Sequence, residues 1–133
     1  MILDTTAVTA WAENNPHAVA LIMDARRRVL PVIALGEYEF GVRSSTKRAD
    51  YERWIRETLL PLCEVHPVSM ETSRIYSPIY HHLETTGQRI QQNDVWIAAS
   101  AIELNLPVLS RDTDFDRISG LKRIGFAPKP KKA

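Results

Sequence analysis

The 133-residue chain contains one cysteine, five glycines and no apolar run near the roughly 20 residues that span a bilayer. One cysteine excludes an internal disulfide. Cys63 lies in Leu62-Cys63-Glu64-Val65, a strand-like stretch in which a lone thiol behaves as a small apolar side chain. Cys63 and His66 have metal-like spacing, but an odd offset in a strand directs them to opposite faces. Adjacent His81 and His82 diverge in the same way on a helix. With no second cysteine pair and no H-x-x-x-H, a zinc centre is not expected. There is also no P-loop, no G-x-G-x-x-G, no G-x-S-x-G and no Ser-His-Asp order. Asp4 interrupts the apolar opening Met1-Ile2-Leu3, so the signal-peptide pattern is missing and a cytoplasmic location is expected.

Charge of one sign is lacking too: 17 basic residues face 16 acidic ones, for a net charge of +1. The molecule as a whole is no strong magnet for polyanions. Its basic groups are clustered, however, at Arg26-Arg27-Arg28, Lys47-Arg48, Arg53 and Arg56, Lys122-Arg123, and Lys129 to Lys132. Solvated helix ends and a frayed tail account for any one cluster. Separate acidic and basic zones together suit an enzyme acting on an anionic polymer, where acids hold metal and bases hold phosphate.

What is present is an ordinary globular composition, 44% hydrophobic and 25% charged. The length predicts one domain with a real core. The pattern predicts strands at Ile2-Leu3, Val29 to Ile33, Cys63 to Val68, Val108-Leu109 and Leu121 to Ile124. Helices are expected over residues 5–14, from Pro16 to the three arginines, over 34–42, 47–60, 70–86 and 94–105, with a short one near 114–118. Tyr51, Trp54, Ile55 and Leu59 recur at helical spacing and read as a core stripe. This alternation predicts an α/β fold, a mostly parallel central sheet covered by helices on both faces. Residues 1–127 are expected to form the single domain and 128–133 a basic, disordered tail.

Four acids stand out by position. Asp4, Asp94 and Asp112 fall where strands end or helices begin, and Glu37 is enclosed in the apolar stretch from Val32 to Phe40. Singly, each aspartate has an ordinary explanation as a helix cap. An unpaired glutamate among Leu35, Tyr38 and Phe40 is harder to explain, because burying it is costly. Strand ends of a parallel sheet converge on one edge, which would gather all four. At about 4 Å, each like-charge pair costs on the order of 4 kcal/mol at an effective dielectric of about 20. Several such pairs rival the stability of a domain, so either the acids are protonated or a divalent cation neutralises them. Oxygen ligands without His or Cys favour Mg²⁺ or Mn²⁺. Such an ion polarises phosphoryl oxygens and generates hydroxide, which makes phosphodiester hydrolysis the natural chemistry.

Four segments carry a resemblance: Met1-Ile2-Leu3-Asp4-Thr5-Thr6, Gly36-Glu37-Tyr38-Glu39-Phe40-Gly41, Asn93-Asp94-Val95-Trp96-Ile97-Ala98-Ala99, and Leu109-Ser110-Arg111-Asp112-Thr113-Asp114-Phe115. In this order they resemble PIN-domain proteins, in particular the VapC-type toxins of bacterial toxin–antitoxin pairs. The resemblance implies a PIN-like three-layer fold and a Mg²⁺-dependent endoribonuclease that leaves a 5′-phosphate and a 3′-hydroxyl, with tRNA a candidate substrate. It implies Asp4 and Asp94 as metal ligands, Glu37 and Asp112 as further catalytic acids, and support from Thr6 and Asn93. Asp114 and Asp116 compete with Asp112 for the fourth place, and Glu39 competes with Glu37. It also implies an antitoxin that covers the site along an apolar groove, for which the Tyr51–Leu59 stripe is a second reading, and a homodimer. The alternatives are a PIN-like nuclease of RNA processing or DNA repair without an antitoxin, and a PIN-fold binding module whose acids only cap helices.

Overall fold

Pairs of apolar residues supply the centre of the sheet. In the computed structural model, which describes residues 1–131, strands β1 (Ile2–Leu3), β2 (Val29–Pro31), β3 (Glu64–His66), β4 (Val108–Leu109) and β5 (Arg123–Ile124) form one sheet. Their order is β3-β2-β1-β4-β5 and every pairing is parallel. Ile2 pairs with Val29 on one side and Val108 on the other, so the first strand is the central one. A parallel sheet is covered on both faces, which is why Ile2, Leu3, Leu30, Val108 and Leu109 are apolar and fully buried. The edge strand β3 shows the opposite, with Glu64 and Val65 exposed.

From β1 the chain adds β2 and β3 outward in one direction, then returns to add β4 and β5 in the other. The order therefore reverses between β1 and β4. In open parallel sheets the crevice beyond the carboxyl ends of the strands at such a reversal is the usual ligand site. Asp4 directly follows β1 and Ser110 directly follows β4.

The helices flank the sheet. α1 (Thr5–Ala12) starts at Asp4, and α2 (Pro16–Asp24) starts at Asn15, whose side chain accepts from the amides of His17 and Ala18. Pro16 at the first helical position fits, since its missing N–H is not needed there. α3 (Val32–Arg43) begins two residues before the expected start. Its entry is Pro31, whose extended backbone closes β2, and so Val32 and Ile33 are helix rather than strand.

The expected helix over 47–60 is α4 (Arg48–Trp54) running through a π turn (Ile55–Leu59) into the single turn α5 (Leu60–Leu62). Within the π turn the Leu60 amide reaches back to the Ile55 carbonyl. Ile55 and Leu59 are buried, and the Trp54 ring stands edge-on to Trp11 at 5.4 Å and to Tyr38 at 5.9 Å. The stripe is thus core packing.

α6 (Met70–Thr85) opens with a reciprocal cap between Ser69 and Thr72. It closes before Gly87, which takes the left-handed conformation (φ 69°) that glycine adopts without strain. α7 (Gln92–Leu104) packs against α6, with the Tyr76 ring stacked on Trp96 at 3.7 Å. Phe115, from the 3-10 turn Thr113–Arg117, is fully buried. After β5 the chain has no regular structure through Lys131. It returns to the α1–α2 junction, where Asn15 Nδ2 donates to the Ala127 carbonyl and Lys129 Nζ to the Glu13 carbonyl. Residues 132–133 of the expected tail lie outside the described residues. No helix among the described residues is long and apolar enough to cross a membrane.

Candidate active site

Asp4 anchors the crevice between β1 and β4. It is only 2% exposed, and every bond it makes holds it as a carboxylate. Oδ1 accepts from Thr6 Oγ1 at 2.7 Å and from the Ala7 amide at 2.9 Å, and Oδ2 accepts from the Ser110 hydroxyl. Burial still raises its pKa above the ordinary carboxylate value, with Asp112 adding to the rise, while Ser110, Thr6 and Ala7 pull it down. One oxygen thus caps α1 and the other faces β4.

Ser110 links this strand end to the next. Its oxygen accepts from the Asp112 amide at 2.9 Å, and the Arg111 amide donates to Thr6 Oγ1 at 3.0 Å. Asp112 accepts from the Asp114 amide at 2.9 Å and so caps the 3-10 turn. On α3, Glu37 accepts from Thr5 Oγ1 at 3.0 Å through Oε1, a bond that ties α1 to α3 beside Asp4.

Asp94 lies in the first turn of α7, where the helix dipole favours negative charge. It is not the cap: Gln91 occupies that position without a side-chain bond. Burial pushes the Asp94 carboxyl up to about 7, and Asp112, Asp4, Glu37 and Asp114 push in the same direction in that order. The four acids singled out in the sequence therefore meet in one electrostatic neighbourhood.

The competing acids separate. Asp116 takes both the Nε and Nη2 of Arg123, at 2.9 and 3.1 Å, and is not among the charges that act on Asp94. Asp114 contributes the weakest of the charges acting on Asp94 and stands 3.5 Å from Arg117 Nη1. Glu39 is exposed and lines a different depression with Arg43 and Arg56. Of the supporting residues, Thr6 binds Asp4, while Asn93 is exposed on the rim of a cavity shared with Glu37, Val32 and Phe40. Sequence reasoning passed over Ser110, although its place between β4 and Asp112 was the available signal.

Among the described residues no three His, Cys, Asp or Glu side chains stand close enough to form a ready-made cage. A small hard cation held by one or two carboxylates, with water and phosphate oxygens completing its shell, needs no such cage. The donors fit that case, being carboxylates and hydroxyls only, with burial first and then the neighbouring acids raising the Asp94 pKa. His66 is engaged elsewhere, 3.1 Å from Glu103 Oε1, and burial pushes the Cys63 thiol up to about 11.

A central parallel sheet with a carboxylate cluster at its strand reversal is the arrangement of a PIN nuclease fold. The PIN domain family profile matches residues 1–121, and the chain belongs to that family. It is similar to Ribonuclease VapC5 of Mycobacterium tuberculosis, 32% identical over 120 residues that cover 90% of this chain and 87% of the relative. It also resembles the crystal structure of VapBC-5, a member of the VapBC family of toxin-antitoxin systems from the same organism. There the identity is 29%, the TM-score 0.73, and the match covers 93% of this chain and 94% of the other. VapBC2 from Rickettsia felis, solved bound to a DNA fragment from its promoter, shares the fold at a TM-score of 0.84. Its identity is 23%, over 95% of this chain and 98% of the other.

Proposed function

We propose that this chain is a divalent-metal-dependent endoribonuclease of the VapC type, the toxin of a toxin–antitoxin pair, acting in the cytoplasm on a structured RNA such as tRNA. The observation that carries the reading is the meeting of Asp4, Glu37, Asp94 and Asp112, with the Asp94 carboxyl pushed up to about 7. A half-buried group perturbed both by desolvation and by specific charged neighbours is a functional-site candidate. Asp4 and Asp94 would hold the cation, Mg²⁺ or Mn²⁺, which when bound polarises the phosphoryl oxygen and acidifies water.

The chain's own residues prepare the remainder. Ser110 and Thr6 fix the Asp4 carboxylate, so its orientation is set before any ligand arrives. Glu37, held at Oε1 by Thr5, orients the attacking water with its second oxygen. Asp112, held by Ser110 through its own amide, adds to the negative charge around Asp94. The antitoxin partner is supported by the toxin–antitoxin naming of VapBC-5. The apolar surface beside the acids is formed by Val32 and by Phe40, the latter 68% exposed.

The test is to incubate total RNA with the purified chain, with and without EDTA, and to sequence the new 5′ ends. Discrete 5′-phosphate ends that disappear with EDTA, and in the Asp94→Asn variant, are expected. Equal cleavage by that variant would overturn the assignment. Affinity capture from the native host should bring down a small tight-binding protein.

A further inference from the structure

Three concavities follow one another past the acids. The first, about 580 Å³, is lined by Thr5, Thr9, Glu13, Arg111, Asp112 and Lys129 among others, so two cationic side chains stand with two acidic ones. The second, about 330 Å³, shares Thr5 and Thr9 with it and reaches Glu37. The third, about 510 Å³, shares Glu37 and runs to Asn93 and Phe40. They make one discontinuous groove that passes Asp112 and Glu37 in turn. Among the described residues only the first concavity carries cationic side chains.

Those cations come from two distant segments. Arg111 sits between Ser110 and Asp112, and its backbone is fixed by the Thr6 hydroxyl. Its guanidinium makes no ion pair among the described residues, although it flanks the acidic cluster. Lys129 is brought over by the C-terminal segment. That segment is pinned by Asn15, a 97% buried position (3% exposed) whose Nδ2 donates to the Ala127 carbonyl. Lys129 Nζ spends one proton on the Glu13 carbonyl and keeps two for a ligand.

An RNA strand entering a cleft of carboxylates is repelled unless its phosphates find cations close by. Basic groups at metal distance would compete with the metal, whereas groups in the adjoining cavity would not. We propose that the cavity behind Asp112 holds the sugar–phosphate backbone next to the scissile bond, with Arg111 and Lys129 each on a phosphate. The C-terminal segment is then part of the substrate site. This rests on the ribonuclease reading above and extends it to the residues that position the RNA.

The experiment measures binding of a short, end-labelled, mixed-sequence single-stranded RNA over a range of salt, in the Asp94→Asn background so that turnover does not interfere. Arg111→Gln and Lys129→Gln should each weaken binding about tenfold at low salt. Each should also reduce the slope of log Kd against log salt by about 0.7, the value for one lost phosphate contact on a single strand. Lys129→Arg should restore both. Lys122→Gln, at the amino end of β5 on the opposite edge of the sheet, should change neither. A mere loss of the Glu13 contact would lower the melting temperature without moving the slope. Unchanged slopes in Arg111→Gln and Lys129→Gln, or an equal change in Lys122→Gln, would overturn the proposal while leaving the ribonuclease reading intact. If the unaltered chain neither cuts total RNA nor binds the probe, the ribonuclease reading itself falls.

Discussion

Ser110 donates its hydroxyl proton to Asp4 across 106 positions of sequence, and both side chains are buried. The same oxygen accepts from the Asp112 amide, so one hydroxyl holds two of the clustered acids in register. Ser110→Ala leaves a buried carboxylate oxygen without its donor, which should cost about 1–3 kcal/mol of stability. Cleavage should fall more than folding does, because Asp4 and Asp112 both lose their positioning. Urea unfolding and single-turnover cleavage on the same preparation check this, and an unperturbed cleavage rate would refute it.

Asp94 provides a test in which activity and stability move in opposite directions. Its pKa in the fold, about 7, is above the ordinary 3.8, so the folded state holds a proton that the unfolded chain releases. The metal-free protein is therefore progressively penalised as pH rises from about 4 to about 7, and the penalty is constant above that. Asp94→Asn removes the penalty. The melting temperature of the variant minus that of the unaltered chain should grow across this window and then level off, while cleavage is abolished. A difference that does not vary with pH would contradict the electrostatic account.

The same carboxyl must be ionised to bind a cation. Apparent Mn²⁺ affinity, followed by calorimetry, should rise with pH up to about 7 and flatten beyond. A flat profile from pH 5 upward would exclude Asp94 as a ligand.

Asp116 should be dispensable for cleavage. Its carboxylate is occupied by Arg123, and an exposed pair of this kind contributes little to stability. Asp116→Asn should cleave RNA at nearly the unaltered rate, whereas Asp112→Asn should not. Reversal of that ranking in a cleavage assay would reassign the fourth acid.

Trp54→Ala should destabilise the fold by about 3 kcal/mol, since the ring packs against Trp11 and Tyr38. A variant of full stability that fails to bind an antitoxin would instead restore the groove reading of the stripe.

The strands and the acids were legible in the sequence because each is announced locally. Ile2-Leu3 and Val108-Leu109 are short apolar runs ended by a polar residue, Asp4 and Ser110 respectively, and each leads directly into the crevice. Pro31 was harder to read, since a proline closing a strand and a proline opening a helix look alike until the backbone is followed. The π turn at Ile55–Leu59 leaves no mark at all, because one extra residue in a turn barely shifts an apolar stripe. Asp4 and Asp112 are caps as well as members of the cluster, so capping and gathering were never true alternatives for them. For Asp94 they were, and the cap position fell to Gln91. Ser110 escaped notice because a serine acquires its importance here only from the two partners it touches.

The placement of β1 at the centre of the sheet has a consequence for synthesis. Its neighbour β4 pairs Ile2 with Val108. On the ribosome the opening strand must wait, half-paired, while more than a hundred further residues are made. Ser110 and Asp112 emerge after that, so the acidic edge closes only once both have been made. A chain interrupted before β4 would lack both the partner strand of Ile2-Leu3 and the residues Ser110 and Asp112 that follow it.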